Sequence, residues 1–240
     1  MKPYEADASR VRAMYRLLAP PSGGRTMEVC FDSAPNLAAP DWRGEHVAWM
    51  VKAATPYHGT RASGHYADPQ WLPAMPEGHF DLIVLHRTLD RLAAADAAAC
   101  DTGALEGLFR LLYDRLVQGG ILVVTVANGA WLSRLRRGRP AGEPKGKRDC
   151  GVQLSWRSLQ RLFAAAGFVK VHSYNVLPDA DAPLRLVDTD ADLSRVGFRR
   201  ELAFMRSSLP LRAYLLRRVA AELALNRHFE DWLLTSGARP

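Results

Sequence analysis

The chain is poor in cysteine and has no long apolar run. Its three cysteines, Cys30, Cys100 and Cys150, are scattered over 240 residues. They match neither a zinc-ligand spacing nor a disulfide framework, so a reducing, cytoplasmic setting is expected. No apolar stretch approaches the ~18 residues that a membrane-spanning helix needs. The first seven residues, MKPYEAD, lack the apolar region of a secretory signal. Internal repeats are absent, and low complexity is confined to the alanines of 93–99. Also missing is any RNA-binding motif or interleaving of aromatic with basic residues. That counts against nucleic acid, although a formal charge of +7 and a pI near 9.6 favour anionic partners.

What is present suits a globular fold. A hydrophobic content of 48% over this length can fill one sizeable core, as one large domain or a domain with an insertion. The organising stretch is 80–128. Phe80-Asp81-Leu82-Ile83-Val84-Leu85-His86 and Gly120-Ile121-Leu122-Val123-Val124-Thr125-Val126 are short, rich in β-branched residues and apolar on both faces. Strands in the middle of a parallel sheet have this composition. Between them Leu105, Leu108, Phe109, Leu112 and Leu116 recur at helical spacing, and Gln118-Gly119-Gly120 ends the helix. Strand, helix, glycine turn and strand make one βαβ unit.

The other elements follow in order. Residues 6–18 read as a helix with Val11, Met14, Tyr15 and Leu18 on one face, stopped by Pro20-Pro21. Strands are expected at 25–31 and 46–51, with a short one near His65-Tyr66. Residues 32–44 and 55–78 look irregular. Residues 131–150 form a polar, basic loop. Ser155 caps a helix over 156–166 that Gly167 ends, and a strand follows at 168–175. Residues 179–190 read as an acidic loop. Two arginine-rich helical stretches come next, about 193–207 and 211–225, and a last strand occupies 231–235.

Several of these segments together resemble the class I S-adenosylmethionine (SAM)-dependent methyltransferases. Residues 80–92 look like that family's fourth-strand motif. Residues 116–126 resemble its helix, Pro-Gly-Gly turn and fifth strand, with Gln118 in place of the proline. Residues 154–168 are similar to its final helix and Ala-Gly-Phe turn, and Ala67-Asp68-Pro69-Gln70-Trp71-Leu72-Pro73 to the segment ahead of the fourth strand. The resemblance is good over 67–177. It implies an α/β, Rossmann-like fold whose sheet is mostly parallel, with an antiparallel last strand beside the sixth and a helical insertion before it. In domain terms, 1–240 is then a single domain, with an N-terminal helix and linker at 1–24 and an insertion or lid at 179–228.

The resemblance also points to the loops after strands one, four and five, since such sheets take ligands at their carboxyl ends. In the family the first strand ends in an acid-x-Gly-x-Gly-x-Gly loop, where bare backbone approaches the cofactor. Here Glu28 fits the acid, but Cys30, Asp32 and Ala34 occupy the glycine positions. Lys52 stands where a carboxylate would hold the ribose. Asp68 is a candidate partner for the adenine amino group, or a turn residue ahead of Pro69. His86 is a candidate cofactor contact and general base, or a hydrogen-bonded structural histidine. Trp71 and Trp131 are candidate pocket walls, Trp71 on the cofactor side and Trp131 on the substrate side. Asn128 is a candidate substrate contact or helix cap. Cys30 reads as a small buried hydrophobe as readily as a cofactor neighbour.

Arginines and lysines gather in two places: 134–148, and the C-terminal stretch from Arg185 to Arg218. They form a solvated surface or face an anionic partner, such as an acidic carrier protein, an anionic lipid or a phosphorylated substrate. Leu211, Tyr214, Leu215, Leu216 and Val219, flanked by Arg212, Arg217 and Arg218, suit either a peripheral membrane contact or a lid. Two functions remain open. One is SAM-dependent methyl transfer to an anionic or lipid-like small substrate, chiefly by proximity. The other is a non-catalytic methyltransferase-fold subunit, a pseudoenzyme that binds a partner or ligand without using SAM.

Overall fold

The computed structural model describes residues 8–18, 24–30, 37, 45–50, 65–66, 77–90, 102–128, 154–177, 180, 183, 185–189, 214–215, 218–219 and 232–240. Its centre is an eight-stranded sheet. The strands are β1 (Thr26–Cys30), β2 (His46–Met50), β3 (His65–Tyr66), β4 (Phe80–His86), β5 (Leu116–Ala127), β6 (Val169–Leu177), β7 (Arg185–Asp188) and β8 (Trp232–Ala238). Helices α1 (Ala8–Arg16), α2 (Thr102–Arg115) and α3 (Trp156–Ala165) pack against it. The spatial order is β3-β2-β1-β4-β5-β8-β6-β7. β1 to β5 pair in parallel, β8 lies antiparallel between β5 and β6, and β7 lies antiparallel on β6.

The central strands are apolar on both faces because each face carries a layer. Met27, Val29, Ile83, Leu85, Leu122 and Val124 meet Leu105, Phe109 and Leu112 of α2 and Leu159, Leu162 and Phe163 of α3. On the opposite face Leu82, Val84, Val123, Val176 and Leu234 lie with Val11, Met14 and Tyr15 of α1. Alternation along β4 therefore feeds two cores, and the expected pairing of β4 with β5 is observed, with Ile83 opposite Leu122 and Val84 opposite Val123.

Turn chemistry fixes the ends of these elements. Gly119 has φ +80°, and a Cβ on Gly120 would lie 2.9 Å from the Val117 carbonyl oxygen and 3.0 Å from that of Phe80. Ser155 caps α3, its side chain accepting the Ser158 N–H at 3.2 Å, and Gly167, at φ +95°, ends the turn after it. The C-terminal tail secures α2. Arg239 Nη1 donates to the carbonyls of Tyr113 (3.2 Å), Asp114 (3.2 Å) and Leu116 (2.6 Å), and its guanidinium carbon lies 4.9 Å from the centre of the Tyr113 ring. Carbonyls that a helix end leaves without partners are satisfied in this way.

Three expectations need correction. The acidic stretch 179–190 contains strand β7. Val187 is buried while the charges of Arg185 and Asp188 are tolerated, because an edge strand exposes one side to water. The last strand lies antiparallel beside β6, as expected, with β6 and β7 outside it. It also runs on to Ala238, since Gly237 lets Phe163 approach so closely that a Cβ there would sit 2.6 Å from the ring. Helix α2 ends at Arg115, and Leu116 already pairs with Phe80 in the sheet. In the segment 179–228, the described residues beyond Thr189 are Tyr214, Leu215, Arg218 and Val219, all helical, with Leu215 and Val219 exposed. No helix among the described residues is long and apolar enough to cross a membrane.

Candidate functional site

The strand order reverses between β1 and β4, which opens a crevice at their carboxyl ends. Cys30, His86 and Ala127 close the three strands that border it.

Glu28 is fully buried within β1 rather than at its end. A buried carboxylate needs donors to offset its lost hydration. Its Oε2 accepts the backbone N–H of Leu37 at 2.8 Å and lies 3.5 Å from His46 Nε2, the first residue of β2. The acid thus ties Leu37, seven residues beyond the end of β1, to the sheet. Cys30 is buried, with Sγ 3.9 Å from the Glu28 carbonyl oxygen.

His86 is only 4% exposed. Its Nδ1 lies 2.8 Å from the Tyr15 hydroxyl, which is also 2.8 Å from Thr125 Oγ1. The Tyr15 and His86 rings meet edge to face with centroids 5.8 Å apart. The N-terminal helix therefore covers the carboxyl ends of β4 and β5 and carries a side chain into their polar row. On sequence alone Tyr15 belongs only to an apolar helix face, and Thr125 is not singled out. The available signals were a tyrosine at a core position, whose hydroxyl requires a partner, and one hydroxyl within a run of valines.

The turn after β4 binds this edge together. Arg87 adopts φ +56°, a left-handed conformation uncommon for a residue with a side chain, and its guanidinium carbon lies 4.4 Å from the Trp232 ring centre. The Thr88 hydroxyl donates to the Val29 carbonyl on β1. The Asp90 carboxylate accepts the Ala127 N–H on β5, at 3.0 and 3.2 Å. Asn128 follows, fully buried. Glu28, Cys30 and His86 thus lie on strands bordering one crevice, and Asn128 directly follows the third, β5. Asp32, Lys52, Asp68, Trp71, Trp131 and the basic loop 134–148 lie outside the described residues. Among the described residues no cluster of histidine, cysteine, aspartate or glutamate is arranged to hold a metal ion.

This sheet order and crevice define the fold of the class I SAM-dependent methyltransferases, and the solved structures agree. A SAM-dependent methyltransferase from Archaeoglobus fulgidus superposes with TM-score 0.55 at 12% identity, covering 97% of this chain and 94% of its own. Phosphoethanolamine N-methyltransferase 2 of Haemonchus contortus, solved with phosphomonomethylethanolamine and S-adenosylhomocysteine, gives TM-score 0.52 at 11% identity, with 97% of this chain covered. The chain spans only 53% of that enzyme. The [4+2]-cyclase SpnF gives 0.54 at 17% identity, covering 97% of this chain and 81% of its own. No protein-family model and no curated protein matches the chain.

The described residues fit SAM only in part. The crevice stands where this fold takes its cofactor, and its β4–β5 side is assembled. On the β1 side both named side chains are buried: Glu28 is bonded to the Leu37 N–H, and Cys30 occupies a position where the family has glycine.

Proposed function

We propose that this chain is a divergent small-molecule methyltransferase that acts at the crevice bordered by β1, β4 and β5. The observation that carries this reading is the buried Tyr15–His86–Thr125 chain at the carboxyl ends of β4 and β5. Burying three polar side chains at a strand end is unfavourable unless they are mutually bonded, and sheets of this kind take ligands at the carboxyl ends of their strands. SAM, when bound, would supply the methyl group. The chain's own part is to hold the acceptor beside it, exclude water and orient polar groups, which suits catalysis by proximity. In this reading His86 is the catalytic residue and a cofactor contact, Asn128 and Trp131 belong to the substrate side, and the β1 loop together with Asp68 and Trp71 to the cofactor side.

An anionic small molecule is the first substrate class to test, given the net charge of +7. The Haemonchus neighbour holds phosphomonomethylethanolamine, which places phosphorylated amines early in any panel. The competing reading is a subunit of this fold that binds a partner or ligand and does not use SAM. The buried Glu28 and Cys30 favour it, and SpnF, a cyclase by name, illustrates that the fold is not tied to one reaction. Purified protein should be incubated with SAM carrying a labelled methyl group and a panel of anionic amines, alcohols and lipids. Label transferred to any acceptor supports the enzyme. No transfer across the panel, with no binding of SAM or S-adenosylhomocysteine, supports the binding subunit.

A further inference from the structure

We infer that the exposed helical face carrying Leu215 and Val219 lies on an anionic lipid surface. Such binding needs neither SAM nor an acceptor, so it stands or falls apart from the reaction proposed above.

Tyr214, Leu215, Arg218 and Val219 are all helical. Leu215 is 49% exposed and Val219 56%, and Arg218 is exposed as well. Positions four apart on a helix are neighbours on one face, so the two aliphatic side chains form a single outward patch. A helix on a protein surface ordinarily turns its apolar residues inward and its charged residues out. Here Tyr214 is half-buried, so the helix has an inner side, and Leu215 and Val219 are not on it. The other large hydrophobic residues exposed among the described ones are Leu17, after α1, and Val169, at the start of β6. Each of those is single, which is ordinary for a surface; a paired set framed by charge marks a contact.

Charge selects the partner. Residues 202–221 contain Arg206, Arg212, Arg217 and Arg218 and no aspartate or glutamate. Aliphatic side chains beside guanidinium groups suit the boundary of a bilayer. The aliphatic groups enter the acyl region, and arginine stems lie along it with their charged heads among the lipid phosphates. A protein partner is a poorer match. A stable protein interface buries about 800 Å² on each side, far more than one turn of helix offers. A fluid bilayer conforms to a shallow patch, and its anionic lipids add attraction for every arginine near the surface.

Sedimentation of the full chain with vesicles tests this. One set is made of equal parts phosphatidylserine and phosphatidylcholine, the other of phosphatidylcholine alone. The expected result is saturable binding to the anionic vesicles, weakened by added salt, and much weaker binding to phosphatidylcholine. Leu215 and Val219 are exposed, so the variant carrying both Leu215→Gln and Val219→Gln should keep the wild-type circular dichroism spectrum. Its partition onto anionic vesicles should fall at least about tenfold, the worth of two partly inserted aliphatic side chains. Arg218→Glu reverses one charge and should lower the partition about twentyfold, at roughly fivefold per unit charge near an anionic surface. Failure of the wild type to bind anionic vesicles would overturn the inference and return this face to a lid or a protein partner. Equal binding to the two vesicle types would overturn it as well, by removing the role of charge. Wild-type binding by the double glutamine variant would do the same, because arginines elsewhere would then account for the attraction. Where the double variant loses its native spectrum, Arg218→Glu decides, and an unchanged partition in that variant overturns the inference.

Discussion

The carboxylate of Glu28, fully buried on β1, accepts the backbone N–H of Leu37 at 2.8 Å. One acid thus holds Leu37, nine residues along the chain, against the sheet. Replacing it with alanine strands that N–H and leaves His46, whose Nε2 is 3.5 Å away, without its acid. Glu28→Ala should lower stability by about 2–4 kcal/mol, while Glu28→Gln, which keeps an acceptor, should cost roughly half as much. Denaturant midpoints of the two variants check this. Equal costs would mean that charge, and not the hydrogen bond, holds Leu37.

Val84 tests the core itself. It is 0% exposed, faces the α1 layer and pairs with Val123. An aspartate there finds no described cation to pair with, and an unpaired buried charge costs several kcal/mol, a large share of a domain's stability. Val84→Asp should not fold, as judged by circular dichroism and gel filtration. A soluble variant with native spectra would mean that β4 is not central.

The two glycines within β5 should respond differently. Gly120 is confined by two carbonyl oxygens within 3.0 Å of where a Cβ would sit. Gly120→Ala should cost about 1–3 kcal/mol through collision. Gly119 has open space but φ +80°, so Gly119→Ala should cost about 1–2 kcal/mol through backbone strain alone. Asparagine tolerates the left-handed region, so Gly119→Asn should recover much of the loss and Gly120→Asn none. Chemical denaturation of the four variants separates collision from strain.

How much of this was legible in the sequence can be argued from particular residues. The runs around Ile83 and Val123 declared themselves, because strands buried on both faces need apolar residues at every position. Ser155 and Gly167 marked α3 because capping is local chemistry. β7 was hidden: Arg185 and Asp188 look like loop, and only the partner strand makes Val187 an interior residue. Ser236-Gly237-Ala238 was hidden as well, since its fitness for a strand depends on Phe163 arriving above it. In the site, Glu28 and His86 stood out by type and place, and Tyr15, 71 positions from His86, did not. Contacts that fold the chain back on itself leave no periodic trace.

Tyr174 gives the fold a dependence on alkaline pH. Its phenol is raised above the ordinary 10.0, first by burial and then by the negative charge of Asp188, its partner across β6 and β7. Above about pH 10 the unfolded chain releases this proton while the folded chain keeps it, so the unfolded state binds fewer protons and stability falls as pH rises. Below pH 10 the contribution is fully present. Tyr174→Phe should flatten the decline in urea midpoint on going from about pH 9 to pH 11, and Asp188→Asn should reduce it in part. Identical slopes in wild type and Tyr174→Phe would assign the decline to other groups.

The cofactor is the most consequential test. SAM should bind weakly, with a Kd above about 100 μM, or not at all without a partner. Cys30 keeps a side chain where the family presents bare backbone, and it is only 3% exposed against β1. Asp32 and Ala34 do the same in sequence, and Lys52 replaces the carboxylate that would accept from the ribose. Each missing charge-assisted hydrogen bond is worth about 1.5–3 kcal/mol, so the loss of two weakens binding by more than about a hundredfold. Substituting Cys30→Gly, Asp32→Gly and Ala34→Gly together restores the glycines while leaving Glu28 and its bond to Leu37 in place. If side chains in the loop are the whole defect, calorimetry on this triple variant should show affinity rising at least tenfold for both SAM and S-adenosylhomocysteine. If the anchor on Leu37 is the obstacle, the triple variant should bind no better, and adding Glu28→Ala, which removes the acceptor, should then raise affinity. Low-micromolar binding of SAM to the unmodified chain would overturn the weak-binding expectation and leave the enzyme as the reading to pursue.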